Sequence, residues 1–150
     1  MVNTGMIYGE STKGIAQGIT MVDGNIQITE INNSGTILGE GATQGYGVRL
    51  NSFNSQWDTI NNSGAILGKA SGSTGNGYGI FEGIFRQKVI NNGLIAGIGE
   101  ASGYAFESFK TSSNYNSTNA IINMTNTGTI LGEGKTRNGY ARNSRILPNK

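Results

Sequence analysis

Apolar and polar residues alternate with period two in short segments of this chain, and the alternation recurs at a fixed offset from a glycine. Ile7, Ile37, Ile66, Ile95 and Ile130 each stand two residues after Gly5, Gly35, Gly64, Gly93 and Gly128. Four residues before the last four of these glycines come Ile31, Ile60, Val89 and Met124. Polar Glu30, Thr59, Lys88 and Asn123 precede that second set, and Asn32, Asn61 and Thr125 follow three of its members. Such alternation, rich in β-branched residues, predicts half-buried strands. Each glycine follows Thr4, Ser34, Ser63, Asn92 or Thr127, residue types that supply the positive φ angles or side-chain turn bonds of a corner. The local reading is strand, corner, strand.

A third segment follows after a variable loop: Gly14-Ile15-Ala16, Gly45-Tyr46-Gly47-Val48, Gly77-Tyr78-Gly79-Ile80, Gly103-Tyr104-Ala105-Phe106 and Gly139-Tyr140-Ala141-Arg142. The whole unit carries the pattern Asn-[Thr/Ser/Asn]-Gly-x-Ile-x-Gly in five copies whose first glycines lie 30, 29, 29 and 35 residues apart. Three short strands per unit, a fixed period and no helical periodicity predict an all-β protein: one parallel β-helix (β-solenoid) of about five coils of roughly 30 residues, spanning 1–150 as a single domain. Two departures from the repeat are expected: a polar loop insertion at 107–120, a place where partner contacts often reside, and a short basic tail at 143–150.

Stacking places equivalent residues on top of one another. Asn3, Asn33, Asn62, Asn91 and Asn126 are expected to form an amide ladder, and the five isoleucines a buried one. Tyr46, Tyr78, Tyr104 and Tyr140 recur at one position, with Ile15 taking that place in the first unit. They form either an outward aromatic stripe suited to sugar rings or an inward stack. Val48, Ile80 and Phe106 follow two places later, which favours the inward choice and leaves the intervening glycines as a nearly bare outer face.

Composition removes most chemistry. With no histidine and no cysteine, His-based triads, thiol nucleophiles, disulfides and ordinary zinc sites are excluded. Charged residues make up only 13% of the chain and the net charge is +2, too small to argue for nucleic acid. No apolar run approaches a membrane span, and Met1 leads directly into the first repeat without the basic and apolar segments of an export signal. Glu10, Glu40, Lys69 and Glu133 share the place five residues after the corner glycine, but a close carboxylate pair alone satisfies neither calcium nor glycoside hydrolysis, so a solvated face is expected. Trp57, Arg86 and Lys88 make a weak candidate binding patch. The Asn-x-Ser/Thr matches at Asn32, Asn61, Asn116 and Asn123 are N-glycosylation acceptors in form, but Asn32 and Asn61 belong to the repeat consensus itself, which makes coincidence the better account. No catalytic residue, cofactor or metal is expected.

The units Ile31-Asn-Asn-Ser-Gly-Thr-Ile-Leu-Gly and Ile60-Asn-Asn-Ser-Gly-Ala-Ile-Leu-Gly, each followed by Gly-Tyr-Gly-[Val/Ile], resemble repeats in the passenger domains of bacterial autotransporters and related surface adhesins. The resemblance implies a right-handed parallel β-helix displayed outside the cell, in adhesion or as a stalk. The reading that results is a non-enzymatic structural or adhesive β-solenoid, extracellular or on a bacterial cell surface, with a host-surface or glycan ligand. The alternatives are a polysaccharide-binding or polysaccharide-degrading β-helix, for which Glu40 and Glu82 are the carboxylates to test, and a phage-type fibre module. Neither the coil at Asn3 nor the one ending at Gly139-Tyr140-Ala141 carries a recognisable cap, so the expected partner is the chain itself, joined head to tail into a filament.

Overall fold

The computed structural model describes residues 1–22, 30–51, 58–82, 86–110 and 121–146. They form five coils of three strands each. The coils hold β1 (Val2–Asn3), β2 (Met6–Ser11) and β3 (Ile15–Val22); β4 (Glu30–Asn33), β5 (Thr36–Gly41) and β6 (Gln44–Asn51); β7 (Asp58–Asn62), β8 (Ala65–Ala70) and β9 (Asn76–Glu82); β10 (Arg86–Asn91), β11 (Leu94–Gly99) and β12 (Ser102–Lys110); and β13 (Ile121–Asn126), β14 (Thr129–Gly134) and β15 (Gly139–Ile146). Corresponding strands pair in parallel into three five-stranded sheets: sheet A in the order β1-β4-β7-β10-β13, sheet B from β2 to β14, and sheet C from β3 to β15. This is the parallel β-helix that the repeat predicts.

The register is like upon like. Ile7 pairs with Ile37, Ile37 with Ile66, Ile66 with Ile95 and Ile95 with Ile130. Ile37, Ile66 and Ile95 are fully buried, while Ile7 and Ile130 of the terminal coils are partly buried against the same core. Sheet A adds Ile31, Ile60 and Val89, and sheet C adds Val48, Leu50, Ile80 and Phe106. Each such side chain contributes roughly 1.5–3 kcal/mol of burial.

Glycine shapes the coil differently from the expectation. A β-carbon on Gly35 would lie 2.0 Å from the Gly5 carbonyl oxygen of the coil beneath, and one on Gly64 2.0 Å from that of Gly35, and none of these corner glycines adopts a positive φ. The corner requires glycine because the neighbouring coil's backbone fills the space, and the turn bonds come from asparagine. The glycines of sheet C, expected as a bare outer face, also point inward. A β-carbon on Gly45 would collide with the carbonyl oxygens of Lys69 and Gly39, and one on Gly39 with that of Tyr46. Sheets B and C therefore meet backbone on backbone beside their shared corner, and the apolar side chains fill only the remainder of the cross-section.

Sheet C also kinks. Tyr46 pairs with Tyr78 and Val48 with Ile80, but Gly47 and Gly79 between them fall out of the ladder. A β-carbon on Gly47 would sit 2.8 Å from Ile66 Cγ2, so it faces the core, as Val48 next to it does. The kink breaks the period of two, and Tyr46 and Val48 enter different clusters rather than sharing a face. In the fourth coil Ala105 takes the kink position and is fully buried there. The same register corrects the first coil, where Gln17 and not Ile15 lies under Tyr46, while Ile15 pairs with Gln44 and is exposed.

Strand β12 runs on to Lys110, so the expected insertion does not begin at Glu107; residues 111–120 lie outside the described residues. Likewise β15 continues through Ile146, and the first part of the expected tail pairs with β12.

Three substitutions separate these roles. Ile66→Ala is expected to cost roughly 2–5 kcal/mol through lost burial and a cavity. Gly68→Ala should cost about 3 kcal/mol, because its β-carbon would sit 1.8 Å from the Tyr78 carbonyl oxygen. Thr36→Ala, on the other face of sheet B, should cost less than about 1 kcal/mol. Denaturant unfolding measures all three, and equal losses for Ile66→Ala and Thr36→Ala would invert the assignment of faces.

Candidate functional site

The asparagine ladder is the most complete polar constellation in the described residues. Asn3 Nδ2 donates to Asn33 Oδ1 at 2.8 Å, Asn33 to Asn62 at 2.7 Å, Asn62 to Asn91 at 2.7 Å and Asn91 to Asn126 at 2.7 Å. Each amide nitrogen also reaches the carbonyl two residues ahead in its own coil and one in the next coil; for Asn62 these are Gly64 O at 3.2 Å and Leu94 O at 3.0 Å. Asn33, Asn62 and Asn91 are at most 2% exposed, so these bonds replace water that the amides have lost. The interior amides Asn33, Asn62 and Asn91 spend their donors on closing their own corner and on holding one coil to the next. The expected ladder is present, and its role is structural.

The tyrosines form a second ladder. Ring centroids of Tyr46 and Tyr78 lie 4.7 Å apart, those of Tyr78 and Tyr104 5.1 Å, and those of Tyr104 and Tyr140 5.1 Å, all within 10° of parallel. Phe81 meets Tyr46 and Tyr78 edge-on, and the Arg49 guanidinium lies 5.2 Å from the Tyr46 ring centroid. Tyr46, Tyr78 and Tyr104 are buried, but in a cluster separate from the isoleucine core. Their faces cover one another and so are closed to a sugar ring. Tyr46 donates its hydroxyl to Gln44 Oε1 at 2.9 Å, and Tyr140 accepts from Asn138 Nδ2 at 2.8 Å. Burial raises the Tyr46 and Tyr78 hydroxyl pKa above the ordinary value, against the lowering pull of Arg49 on Tyr46 and of the Asn76 hydrogen bond on Tyr78.

Phe81, Arg49 and the amides two places before the tyrosines were not singled out from the sequence. The amides carry a readable signal, since Gln44, Asn76 and Asn138 recur at that offset. Phe81 and Arg49 carry none, because they reach the tyrosines only through the kink.

The remaining candidates do not converge. Glu10, Glu40 and Lys69 stack in the expected order on sheet B, Ile98 follows, and Glu133 pairs with Ile98. Glu82 lies on β9 of sheet C, 1% exposed, in register with Leu50, so Glu40 and Glu82 stand on different sheets. Trp57 lies outside the described residues, as does Asn116. Lys135 pairs with Glu100 at the corner between sheets B and C, and that hydrogen bond raises the lysine pKa.

Comparison of the chain with models of protein families, with curated proteins and with solved structures finds no match.

Two outcomes test this geometry. Asn62→Asp should destabilise more than Asn62→Ala, by about 3 kcal/mol near neutral pH, because a buried carboxylate would face three acceptors and donate to none. Its pKa would be raised in the folded state, so acidification through that value should restore stability, which denaturant midpoints at several pH values would show. The tyrosine ladder works in the same sense at the alkaline end. Burial holds the Tyr46 and Tyr78 hydroxyls above 10.0 in the folded state, so the stability they contribute is present below about pH 10 and lost as pH climbs toward the folded values. Ionisation of Tyr46 and Tyr78, read as the absorbance lost in their Phe variants, should thus coincide with unfolding. Ionisation of these tyrosines near pH 10 without loss of structure would contradict their burial.

Proposed function

We propose that this chain is a non-enzymatic structural solenoid of the extracellular space or a bacterial cell surface, extended by stacking copies head to tail and serving as a filament or an adhesin stalk. The observation that carries this reading is the polarity of the asparagine ladder. Every interior amide passes a hydrogen bond in one direction. Among the described residues, Asn126 Nδ2 donates only to Gly128 O of its own coil, and Asn3 Oδ1 accepts only the Gly5 N–H, at 3.3 Å. The last described coil therefore ends on a donor and the first on an acceptor, in the same register. A second copy laid on β13, β14 and β15 with its own β1, β2 and β3 would let Asn126 donate to the incoming Asn3, as Asn91 donates to Asn126.

Other columns fit the same joint. The incoming Gln17 would stand in register with Tyr140 as it does with Tyr46 within the chain. Open strand edges of matching register supply the backbone pairing, and a contact of this kind does not close on itself. One column opposes it: Glu133 would meet the incoming Glu10, a like-charge pair on an exposed face.

Assembly should therefore grow with protein concentration and with screening salt, read by light scattering and electron microscopy. Asn126→Asp, at an exposed position, should leave the fold intact and shorten or abolish the filaments. A wild-type protein that stays monomeric at high concentration and high salt, with its terminal coils protected from hydrogen exchange, would overturn the proposal.

A further inference from the structure

The outer face of sheet A carries amides that the ladder does not use. Asn32 and Asn61 stand one residue before the ladder asparagines and on the other side of the strand. Asn61 Nδ2 donates to Asn32 Oδ1 at 2.7 Å and to Glu30 Oε1 at 3.2 Å. At the corner, Thr127 donates its hydroxyl to Asn92 Oδ1 at 2.6 Å. Within the described residues this leaves Asn32 Nδ2, Asn61 Oδ1 and Asn92 Nδ2 with hydrogen-bonding capacity to spare. These groups border an open groove of about 240 Å³ that passes Val2, Asn32 and Ser34, Asn61 and Ser63, then Ile90 and Asn92. It crosses four coils, about 14 Å along the solenoid axis at the spacing of paired strands.

We propose that this groove binds a linear, uncharged glycan lying parallel to the solenoid axis. The proposal rests on the adhesive side of the reading above. Three features point to this ligand class. The lining offers amide donors, amide acceptors and hydroxyls in alternation, the set that matches sugar hydroxyls, which both donate and accept. It has no charged side chain, and the charges beside it, Glu30 against Lys88 and the Met1 ammonium, are of mixed sign, so the groove itself offers a charged sugar no partner. Its polar groups repeat once per coil, close to the advance of one ring in an extended β-linked chain, so a sugar chain and the coil stack run in step. Val2 and Ile90 supply apolar contact for the ring carbons. A single shallow groove of this kind binds weakly, and repetition along a stack of copies converts weak contacts into avidity.

The test uses the intact chain and hexasaccharides of glucose, xylose and N-acetylglucosamine with β-1,4 linkage, set against a hexamer of galacturonic acid. Side-chain amide resonances of Asn32 and Asn92 should shift with at least one neutral hexamer and not with the acidic one. Ser63→Trp, which fills the groove from an exposed position, should weaken binding at least tenfold with unfolding and assembly unchanged. Asn92→Ala should weaken it by about fivefold, the loss of one hydrogen bond. Shifts confined to the tyrosine ladder, no shift with any neutral hexamer, or unaltered binding by Ser63→Trp would each overturn the proposal. Head-to-tail assembly is read separately by scattering, so loss of this site and loss of the filament are distinguishable outcomes.

Discussion

Everything in this molecule depends on the in-register pairing of each coil with the next. A parallel coil stack has no turn to fix its register, and a slip of one residue would exchange the inward and outward faces of a strand. The asparagine ladder removes that freedom at one corner of every coil. Its amides are buried, and a slipped register would leave Asn33, Asn62 and Asn91 without acceptors at a cost of about 1–3 kcal/mol each. The isoleucine columns reward the same register but also tolerate neighbours. The amides set the register, and the apolar columns supply most of the stabilisation.

Glycine adds a second constraint of a different kind. Where sheets B and C approach, the space between backbones is too small for any β-carbon, so the glycines at Gly39, Gly68 and Gly97 face those at Gly45, Gly77 and Gly103. The coil is pinched shut there by peptide groups and not filled by side chains. The apolar side chains of all three sheets fill what the pinch leaves of the cross-section.

The parts of the fold that repeat in every coil could be read from sequence. The Asn-x-Gly-x-Ile spacing located the corner, the ladder and the buried isoleucines because one physical role is written five times in the same place. What could not be read depended on breaks in the simple period. Tyr46 and Val48 are two residues apart and so share a face on any ideal strand; the kink at Gly47, which drops out of the ladder, separates them. The same assumption made Gly45 and Gly47 look like an empty outer surface. Gln17 was missed because the first coil lacks the tyrosine that marks the column elsewhere, and Ile15 was the nearest apolar substitute. The groove on sheet A was hidden for another reason. Asn32 and Asn61 belong to the repeat itself, so their pattern was absorbed by the architecture before their free atoms could be counted.

That last point separates structure from function in a repeat of this type. An inward polar column is fully used, since each amide meets the one above and the one below, and nothing is left over for a ligand. An outward column makes the same axial bonds with one edge of the amide and keeps the other edge for solvent. Individual variation falls on outer and kink positions as well as within the buried apolar columns: Lys69 and Ile98 interrupt the acidic column, Ala105 replaces a glycine, Ile90 interrupts the outer amides, and Phe106 follows Val48 and Ile80. The buried Asn33, Asn62 and Asn91 show none. A solenoid can thus change what its surface recognises coil by coil while its ladders hold the register fixed, and extending the stack multiplies whatever that surface offers.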